Sequence, residues 1–425
     1  MKRVHLAWVV AAVTLGTLVA AASFRSSTGV LIGPIEEEFD WSRTTTSGAI
    51  SLNLILYGLT APFAAALMER LGLRRVVAGA LLLMAVGSGG ALIMTSTWQL
   101  WLFWGFLVGI GSGSVALVFG AIVASRWFVR RRGVVMGVFS AASAAGQLVF
   151  LPVIAHLAEH HSWRQAAALV AVAALVLCPV VWLVMRDSPQ ELGLTPYGAP
   201  ADWTPPRPPV RTRGPAITAL QELRSASTSW PFWVLMGSFW ICGWSTNGLI
   251  GTHFVPAAHD HGMPATTSAG LLALVGLFDI IGSVASGWLT DRVDPRKLLF
   301  GYYFFRGLSL LAVPALLGPT VQPSLFLFVV FYGLDWVATV PPTVALCRRH
   351  FGAERAGLIF GWVFASHMVG AGVAASYAGW IRDTQGDYFI AWVTAGGLCV
   401  LAAFACMLMP SHPSRASVGS LAAQP

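Results

Sequence analysis

Long apolar stretches alternate with short polar ones along almost the whole chain. A transmembrane helix needs roughly 20 mostly apolar residues, and twelve stretches approach or exceed that length. This pattern predicts an all-α membrane protein. We number the stretches as spans 1 to 12, at residues 6–35, 45–68, 76–95, 98–125, 134–158, 164–185, 230–255, 265–289, 297–318, 323–347, 357–381 and 388–409.

The longest polar interruption lies between spans 6 and 7. It contains ADWTPPRPPVRTRGP, a composition that is typical of a linker, and ITALQELRS directly after it predicts a short surface helix. We therefore expect a first six-helix bundle at 1–185, a cytoplasmic linker at 186–229, a second bundle at 230–411 and a cytoplasmic tail at 412–425.

Composition and charge agree with this organisation. The chain is 56% hydrophobic and 10% charged, whereas soluble domains contain roughly a quarter charged residues. When the N-terminus is placed in the cytoplasm, 21 of the 26 Lys and Arg residues fall in cytoplasmic segments, which is the positive-inside bias. We expect a bacterial inner-membrane protein with both termini in the cytoplasm, and no nucleic-acid partner.

Metal and enzyme motifs are missing from the sequence. The five cysteines stand alone in or beside apolar stretches, without the spacing of metal ligands, and HExxH, GxSxG and a facing aspartate pair are absent. The largest loop is the proline-rich linker, which disfavours a sensor with a soluble output domain. We expect neither a metal, nor another cofactor, nor enzymatic activity.

The two halves of the sequence repeat one another. AALMERLGLRR after span 2 matches GWLTDRVDPRK after span 8, so the pair Glu69-Arg70 recurs as Asp291-Arg292. STGVLIG in span 1 matches STNGLIG in span 7, and four glycines of the first half, at 109, 133, 137 and 146, recur 224 residues later. Parallel repeats of this kind are typical of transporters whose substrate site lies near the middle of the bilayer, between the repeats.

The twelve spans, the central loop and the doubled G-x-L-x-D-R-x-G-R-R-like loop resemble the major facilitator superfamily over essentially the whole chain. EEEFDWSRTTTSGAISL after span 1 and THFVPAAHDHGM at the end of span 7 resemble the monocarboxylate and oxalate:formate transporter group. The signature of proton-coupled drug antiporters is missing from span 5. The resemblance implies secondary transport by alternating access, with Glu69, Arg70, Asp291 and Arg292 in loops that gate the inner side.

Five ionisable residues stand near the middle of their spans: Arg25, Asp279, Arg306, Asp335 and His367. A charge at this depth costs about 2.5–3.5 kcal/mol even on a lenient scale, so such residues pair or face water. Two interpretations of Arg306 stay open, a counter-ion for Asp279 or Asp335 and a direct substrate ligand. Asp279 is likewise either a salt-bridge partner or a proton carrier.

Polar side chains at helical spacing follow the same spans and indicate a wet cavity or contacts between helices. The pair Pro341-Pro342 predicts a kink in span 10. We expect proton coupling at Asp335 or Asp279, with Arg306. The expected substrate-binding residues are Arg25, His367, Asn53, Tyr57, Gln147 and Trp336.

The resemblance implies a similar set of residues. Monocarboxylate transporters have an aspartate in span 8, which matches Asp279, although Ser283 stands where their arginine follows. Their span-1 lysine falls on Ser26, next to Arg25, and the span-11 lysine of oxalate transporters falls on His367. The cationic character is therefore kept but redistributed.

The expected function is transport of a small organic anion, a mono- or dicarboxylate, coupled to protons. The expected partners are this anion, protons and the lipid bilayer, and the chain is expected to act as a monomer. The alternative is an exporter of a cationic or neutral amphiphile, with Asp335 as the attractor and the 18 tryptophans as its lining.

Overall fold

The computed structural model describes residues 5–200 and 214–411, apart from the side chains of some helical residues, among them Arg25 and Gln147. All twelve predicted spans are helical. Their bounds are Leu6–Phe39, Arg43–Leu71, Leu73–Ala91, Thr97–Trp127, Arg132–His160, Trp163–Val184, 230–260, Ala265–Thr290, Pro295–Leu316, Pro323–Phe351, Ala353–Gln385 and Phe389–Met407.

Eight of the helices in the described residues are long and apolar enough to cross a membrane, and shorter apolar helical stretches include Leu6–Ala22 and Leu148–His160. The helices are joined by short turns with ordinary capping chemistry. Ser42 caps span 2 by accepting a hydrogen bond from the backbone N–H of Thr45, and Gly72 ends that span with φ +91°, a backbone conformation that favours glycine.

Three spans are irregular in their middle. Span 4 contains a π-helical segment at Trp101–Leu107 and is interrupted between Ser114 and Leu117. Span 7 contains a π-helical segment at Trp244–Ile250. Span 10 is broken at 336–339, directly before Pro341-Pro342, so the predicted kink is a complete interruption. Irregular segments of this kind occur frequently at functional sites.

Close helix contacts depend on glycine. A Cβ atom at Gly372 in span 11 would lie 2.6 Å from a side-chain carbon of Ile55 in span 2. A Cβ at Gly29 in span 1 would lie 2.7 Å from the carbonyl oxygen of Thr252 in span 7. Small residues let helix backbones approach closely where lipid provides no hydrophobic drive for association. These contacts join the first and second halves of the chain.

The described parts of the linker pack on the helices. The predicted surface helix forms at Pro215–Ala226, and Trp362 of span 11 donates a hydrogen bond from Nε1 to the carbonyl oxygen of Ala219, at 2.9 Å. Glu222 of the same helix pairs with Arg355 at 2.5 Å. The segment after span 6, which we expected only to link the halves, pairs with the end of span 4 through an isolated parallel β-bridge between Tyr197 and Phe128.

Candidate functional site

The break in span 10 frees backbone groups inside the protein, and side chains of spans 8 and 9 satisfy them. Asp279 accepts a hydrogen bond from the backbone N–H of Val337 at 3.0 Å. Ser286 donates to the carbonyl oxygen of Ala338 at 2.5 Å. An unsatisfied backbone group at membrane depth costs several kcal/mol, so Asp279 and Ser286 stabilise the broken conformation.

Arg306 serves the same break and also forms a buried ion pair. Its guanidinium has no exposed area, and Nε lies 2.5 Å from Oδ2 of Asp335. Nη2 donates to the carbonyl oxygens of Asp335, at 2.5 Å, and Trp336, at 3.2 Å. Of the two carboxylates that the sequence offered as partners, Asp335 makes the ion pair. Among the described atoms, Oδ1 of Asp335 is buried without a hydrogen-bond partner.

A cysteine that sequence reasoning did not select connects this pair to span 11. Nη1 of Arg306 donates to Sγ of Cys242 in span 7, at 3.0 Å, and Sγ also lies 3.4 Å from Oγ1 of Thr339 in the break. The Cys242 thiol interacts electrostatically with His367 as well. Arg306, Asp335, Cys242, Thr339 and His367 therefore form one group, which we call the core cluster.

Spans 7 and 11 position His367 within the core cluster. A Cβ atom at Gly243 would collide with the carbonyl oxygen of His367, so the two backbones are in direct contact. The imidazole is stacked on the ring of Phe364 with centroids 5.8 Å apart, and Nε2 lies 3.1 Å from Nδ2 of Asn247. Nδ1 of His367 is buried and has no partner among the described atoms.

The other predicted substrate residues have different surroundings. Asn53 is buried and donates from Nδ2 to the carbonyl oxygen of Trp104, at 2.8 Å, inside the π-helical segment of span 4. The ring of Tyr57 meets that of Phe364 edge-on at 6.3 Å, and Trp336 is half-buried in the break of span 10.

Two further residues of the predicted substrate set are Arg25 and Gln147. Both lie in helices, in spans 1 and 5, and their side chains fall outside the described part of the structure. Their proposed contacts with substrate therefore stay predictions.

Comparison with known proteins identifies the family. The model of the Major Facilitator Superfamily matches residues 13–375. The chain belongs to the Major Facilitator Superfamily. It is therefore a multi-pass membrane transporter and not an enzyme, and the predicted fold class is confirmed.

Its relatives within the superfamily include proteins named as monocarboxylate transporters. Monocarboxylate transporter 13 of Rattus norvegicus is 27% identical over 390 residues, which cover 90% of this chain and 84% of that protein. The uncharacterized MFS-type transporter YcxA of Bacillus subtilis (strain 168) is 26% identical over 385 residues, covering 88% of each chain.

Solved structures of superfamily transporters share the fold. A D-xylose–proton symporter has a TM-score of 0.69 at 16% identity, covering 95% of this chain and 98% of its own. A bacterial homologue of the human lysosomal transporter Spinster, in an inward-facing and unoccupied conformation, has a TM-score of 0.69 at 14% identity, covering 96% of each chain.

We call the face of this superfamily transporter on which span 1 begins and span 12 ends the inner face. The inner loop after span 2 contains Glu69 and Arg70, which are exposed and line a cavity of about 810 Å³. The close contact of this loop with the rest of the protein involves residues next to Glu69 and Arg70. Oδ1 of Asp187 accepts a hydrogen bond from the backbone N–H of Arg74 at 3.0 Å. A Cβ at Gly72 would collide with the Asp187 carboxylate.

The repeated loop after span 8 uses other residues. Asp291 and Arg292 are exposed, and Arg292 donates to the carbonyl oxygen of Trp288 at 3.0 Å. Asp294 caps span 9 and accepts a hydrogen bond from Nη2 of Arg296 at 2.7 Å. The hydrogen bonds from Arg296 lower the pKa of the Asp294 carboxyl to about 2. No described contact of Asp291 or Arg292 reaches the first half of the chain.

At the outer face, a polar network joins the two halves. Nη1 of Arg43, at the start of span 2, donates to the hydroxyl of Tyr388 at 2.5 Å, and Nε pairs with Glu36 of span 1 at 2.7 Å. The backbone N–H of Arg43 donates to Asp383 of span 11 at 3.1 Å. His253 of span 7, which is fully buried, lies 3.3 Å from the Tyr388 hydroxyl. This outer network joins residues of spans 1, 2, 7 and 11 with Tyr388.

Several members of the site stand in stretches that indicated only the internal repeat or the family resemblance. Glu36 and Arg43 stand in EEEFDWSRTTTSGAISL, and Asn247 stands in the repeated STNGLIG. Cys242 has no such signal, because its role depends on where Arg306 and the break in span 10 place their polar atoms.

Proposed function

We propose that this transporter moves a mono- or dicarboxylate across the bacterial inner membrane, coupled to protons, as a monomer with both termini in the cytoplasm. Two bundles, at 1–185 and 230–411, would alternate the access of a site between them. The linker at 186–229 would join the bundles, and 412–425 would be the cytoplasmic tail.

The observation that carries the proposal is the core cluster with its two unpaired atoms. Nδ1 of His367 and Oδ1 of Asp335 are both buried and unpartnered among the described atoms. Buried polar groups are almost always hydrogen-bonded, and an exception calls for an explanation such as an ion or a functional role. Nδ1 can donate to the oxygen of an arriving anion, whereas Oδ1 only accepts and can take up a proton. The names of the relatives support a carboxylate as that ligand.

In the proposed mechanism, the core cluster would exchange the ion pair between Arg306 and Asp335 for an interaction between Arg306 and substrate. Arg25 and His367 would bind the carboxylate. A proton on Asp335 would neutralise one member of the ion pair, so the Arg306 guanidinium could be shared with substrate. Asp279 is the second candidate for the proton, and Arg306 is then its electrostatic neighbour rather than its bonded partner. Asn53, Tyr57, Gln147 and Trp336 would complete the lining.

The inner loops and the outer network would act as opposing gates. In the state described here the outer network is made, and Glu69, Arg70, Asp291 and Arg292 are exposed. In the opposite state the inner loops would close, and the contacts of Arg43 with Tyr388 and Asp383 would open.

The export of a cationic compound is less well supported. Such a cargo needs an uncompensated carboxylate as attractor, whereas Asp335 is paired with Arg306 at 2.5 Å. An attractor that is already neutralised by a buried arginine adds little affinity for a second cation.

Uptake into proteoliposomes tests the proposal. The purified protein is screened by thermal shift with L-lactate, pyruvate, oxalate and succinate, because a ligand that binds the folded state raises its stability. Uptake of the radiolabelled form of each stabilising anion is then measured with an inward proton gradient. Arg25→Ala should abolish uptake in protein that remains stable in detergent, and Arg25→Lys should retain part of it, because lysine lacks the planar fork.

Two results would contradict the proposal. Accumulation of a lipophilic cation in place of these anions would favour the export function. Uptake by Arg25→Ala equal to that of the unmodified protein would remove Arg25 from the substrate site.

A further inference from the structure

The π-helical segment of span 7 places one amide against His367. A π-helix has an i to i+5 hydrogen-bond pattern and shifts the side chains that follow it relative to a regular helix. Oγ1 of Thr252 donates to the carbonyl oxygen of Asn247, five residues earlier, at 2.9 Å. A Cβ at Gly248 would lie 2.5 Å from the carbonyl oxygen of Ala371 in span 11, so span 7 is held tightly against the helix that carries His367.

The contact between the two side chains fixes the state of the imidazole. Nδ2 of Asn247 lies 3.1 Å from Nε2 of His367. An amide NH₂ group only donates hydrogen bonds, so Nε2 must accept, and a neutral ring then carries its single proton on Nδ1. The ring packs against Phe364 at 5.8 Å and Phe239 at 4.9 Å, and these contacts favour the ring orientation that places Nε2 on Asn247.

Nδ1 thus becomes a donor without a protein acceptor. It is buried and makes no well-formed hydrogen bond with a described atom. The Cys242 thiol, which interacts with His367, is a weak acceptor and already accepts from Nη1 of Arg306. The charged and titratable groups around it are the Cys242 thiol and, beyond that thiol, the Arg306–Asp335 pair. Neither the thiol nor the ion pair supplies a strong acceptor for the Nδ1 proton. A ligand that enters the site can supply one.

We propose that Asn247 is a positioning residue, which directs the proton of neutral His367 to Nδ1 and so presents an N–H donor to a carboxylate oxygen of the cargo. This inference rests on the proposed function. With the proton on Nε2 instead, Nδ1 would offer a lone pair to the same carboxylate and repel it. Asn247 would therefore favour an anion over a hydrogen-bond donor at this position without touching the anion itself.

The test is ¹⁵N NMR of the full-length protein in lipid, with labelled histidine, at a pH where the His367 ring is neutral. The spectrum of His367→Gln assigns the His367 signals by difference. The unmodified protein should show a protonated Nδ1 and an unprotonated Nε2. In Asn247→Asp the new carboxylate can only accept a hydrogen bond, so the proton should move to Nε2.

Thr246→Val is the matched control. Thr246 is buried in the same π-helical segment, but its hydroxyl donates to the carbonyl oxygen of Cys242 at 2.7 Å. The substitution should leave the tautomer of His367 unchanged. If it moves the proton as Asn247→Asp does, the effect comes from disturbance of the segment, and the role of Asn247 is refuted.

The spectrum of the unmodified protein decides the proposal even if Asn247→Asp does not fold. A neutral ring with its proton on Nε2 overturns it, and so does a neutral ring that keeps its proton on Nδ1 in folded Asn247→Asp. Addition of L-lactate, pyruvate, oxalate or succinate tests the proposed function separately. A correct tautomer whose Nδ1 signal responds to none of these anions would support the role of Asn247 and contradict the carboxylate site.

Discussion

Spans 4 and 10 occupy equivalent positions in the two halves and are interrupted at equivalent residues. Val115 and Thr339, which lie in the two breaks, are separated by the same 224 residues that separate Gly109 from Gly333. The equivalent glycines also pack in equivalent ways. A Cβ at Gly109 would lie 3.1 Å from the backbone of Asn53 in span 2, and one at Gly333 would lie 2.8 Å from the carbonyl oxygen of Val275 in span 8.

The chemistry of the two interruptions is different. Span 4 is rich in glycine, and the neutral side chain of Asn53 donates to the carbonyl oxygen of Trp104 in its π-helical segment. Span 10 has two prolines, and its free backbone groups are satisfied by Asp279 and Arg306. Both helices are closely packed, but in the second half charged side chains also satisfy the backbone groups of the break. The charges of the second half therefore serve the fold, whatever they contribute to transport.

Arg306→Ala should give the largest effect. The substitution strands the buried carboxylate of Asp335 and also leaves the carbonyl oxygens of Asp335 and Trp336 without their donor. Breaking a buried ion pair in this way costs about 3–5 kcal/mol. We expect low expression and a lower melting temperature in detergent, measured by intrinsic fluorescence.

A double-mutant cycle identifies the partner of Arg306 by function rather than by distance. Arg306→Ala combined with Asp335→Ala should recover part of the lost stability, because no carboxylate is stranded, but not all, because the carbonyl oxygens stay unsatisfied. Arg306→Ala combined with Asp279→Ala should recover nothing. An unchanged melting temperature for Arg306→Ala, together with loss of ligand binding, would instead make Arg306 a substrate ligand.

Gly113→Ala tests the close packing of span 4. A Cβ at Gly113 would lie 2.7 Å from the carbonyl oxygen of Tyr57, and overpacking of this kind costs about 1–3 kcal/mol. Gly89→Ala in span 3 is the control, because its Cβ would meet nothing within 4 Å. The melting temperature should fall for Gly113→Ala alone. Equal values for the two variants would mean that span 4 can move away from span 2 without cost.

The sequence was sufficient to predict the helices but not which side chains contact one another. Apolar length predicted all twelve helices, and Pro341-Pro342 predicted the irregularity in span 10. The partner of Arg306 could not be chosen between Asp279 and Asp335, because the choice depends on how the break turns the backbone at 336–339. Asn247 stands in the repeated STNGLIG, but its contact with His367 could not be predicted, because a π-helical segment leaves no mark in residue spacing.

The contacts between the two halves could not be predicted from the sequence either. Arg43 and Tyr388 are 345 residues apart, and no periodicity within a helix relates them. The two residues meet because spans 1, 2, 7 and 11 converge at the outer face, which is a property of the whole packing. The roles predicted for Arg25 and Gln147 stay predictions, since their side chains lie outside the described residues.

Substitutions of Asp279 distinguish its structural role at the break in span 10 from a role in transport. Asp279→Ala removes the acceptor for the Val337 N–H and should cost about 1–3 kcal/mol, the penalty of an unsatisfied buried donor. Asp279→Asn keeps an acceptor oxygen and should melt close to the unmodified protein. If Asp279 also carries the proton, Asp279→Asn should lose gradient-driven accumulation and keep substrate exchange. Accumulation by this variant would exclude Asp279 as the carrier.

The inner loops after spans 2 and 8 also differ between the two halves, and we expect their contacts to contribute least to stability. At both loops a carboxylate accepts a hydrogen bond from a backbone N–H at the start of the next helix. In the first half Asp187, which follows span 6, accepts from Arg74, and in the second half Asp294 of the loop itself accepts from Arg296. Asp294 is also paired with the Arg296 side chain at 2.7 Å, with about a quarter of its side chain exposed. An exposed pair of this kind contributes up to about 1 kcal/mol, so Asp294→Asn should lower the melting temperature only slightly.

The pH dependence of that small difference can be worked out from the pKa. Hydrogen bonds from Arg296 lower the pKa of Asp294 to about 2 in the folded protein, below the value of about 3.9 for an unfolded chain. The stabilisation is therefore complete above the unfolded value and is lost as the pH falls toward 2. Asp294→Asn should differ from the unmodified protein by a constant amount between pH 5 and about pH 8, and the difference should shrink below about pH 4. A difference that already shrinks between pH 7 and about pH 5 would show that Asp294 is not held ionised by Arg296, and that the second inner loop depends on another contact.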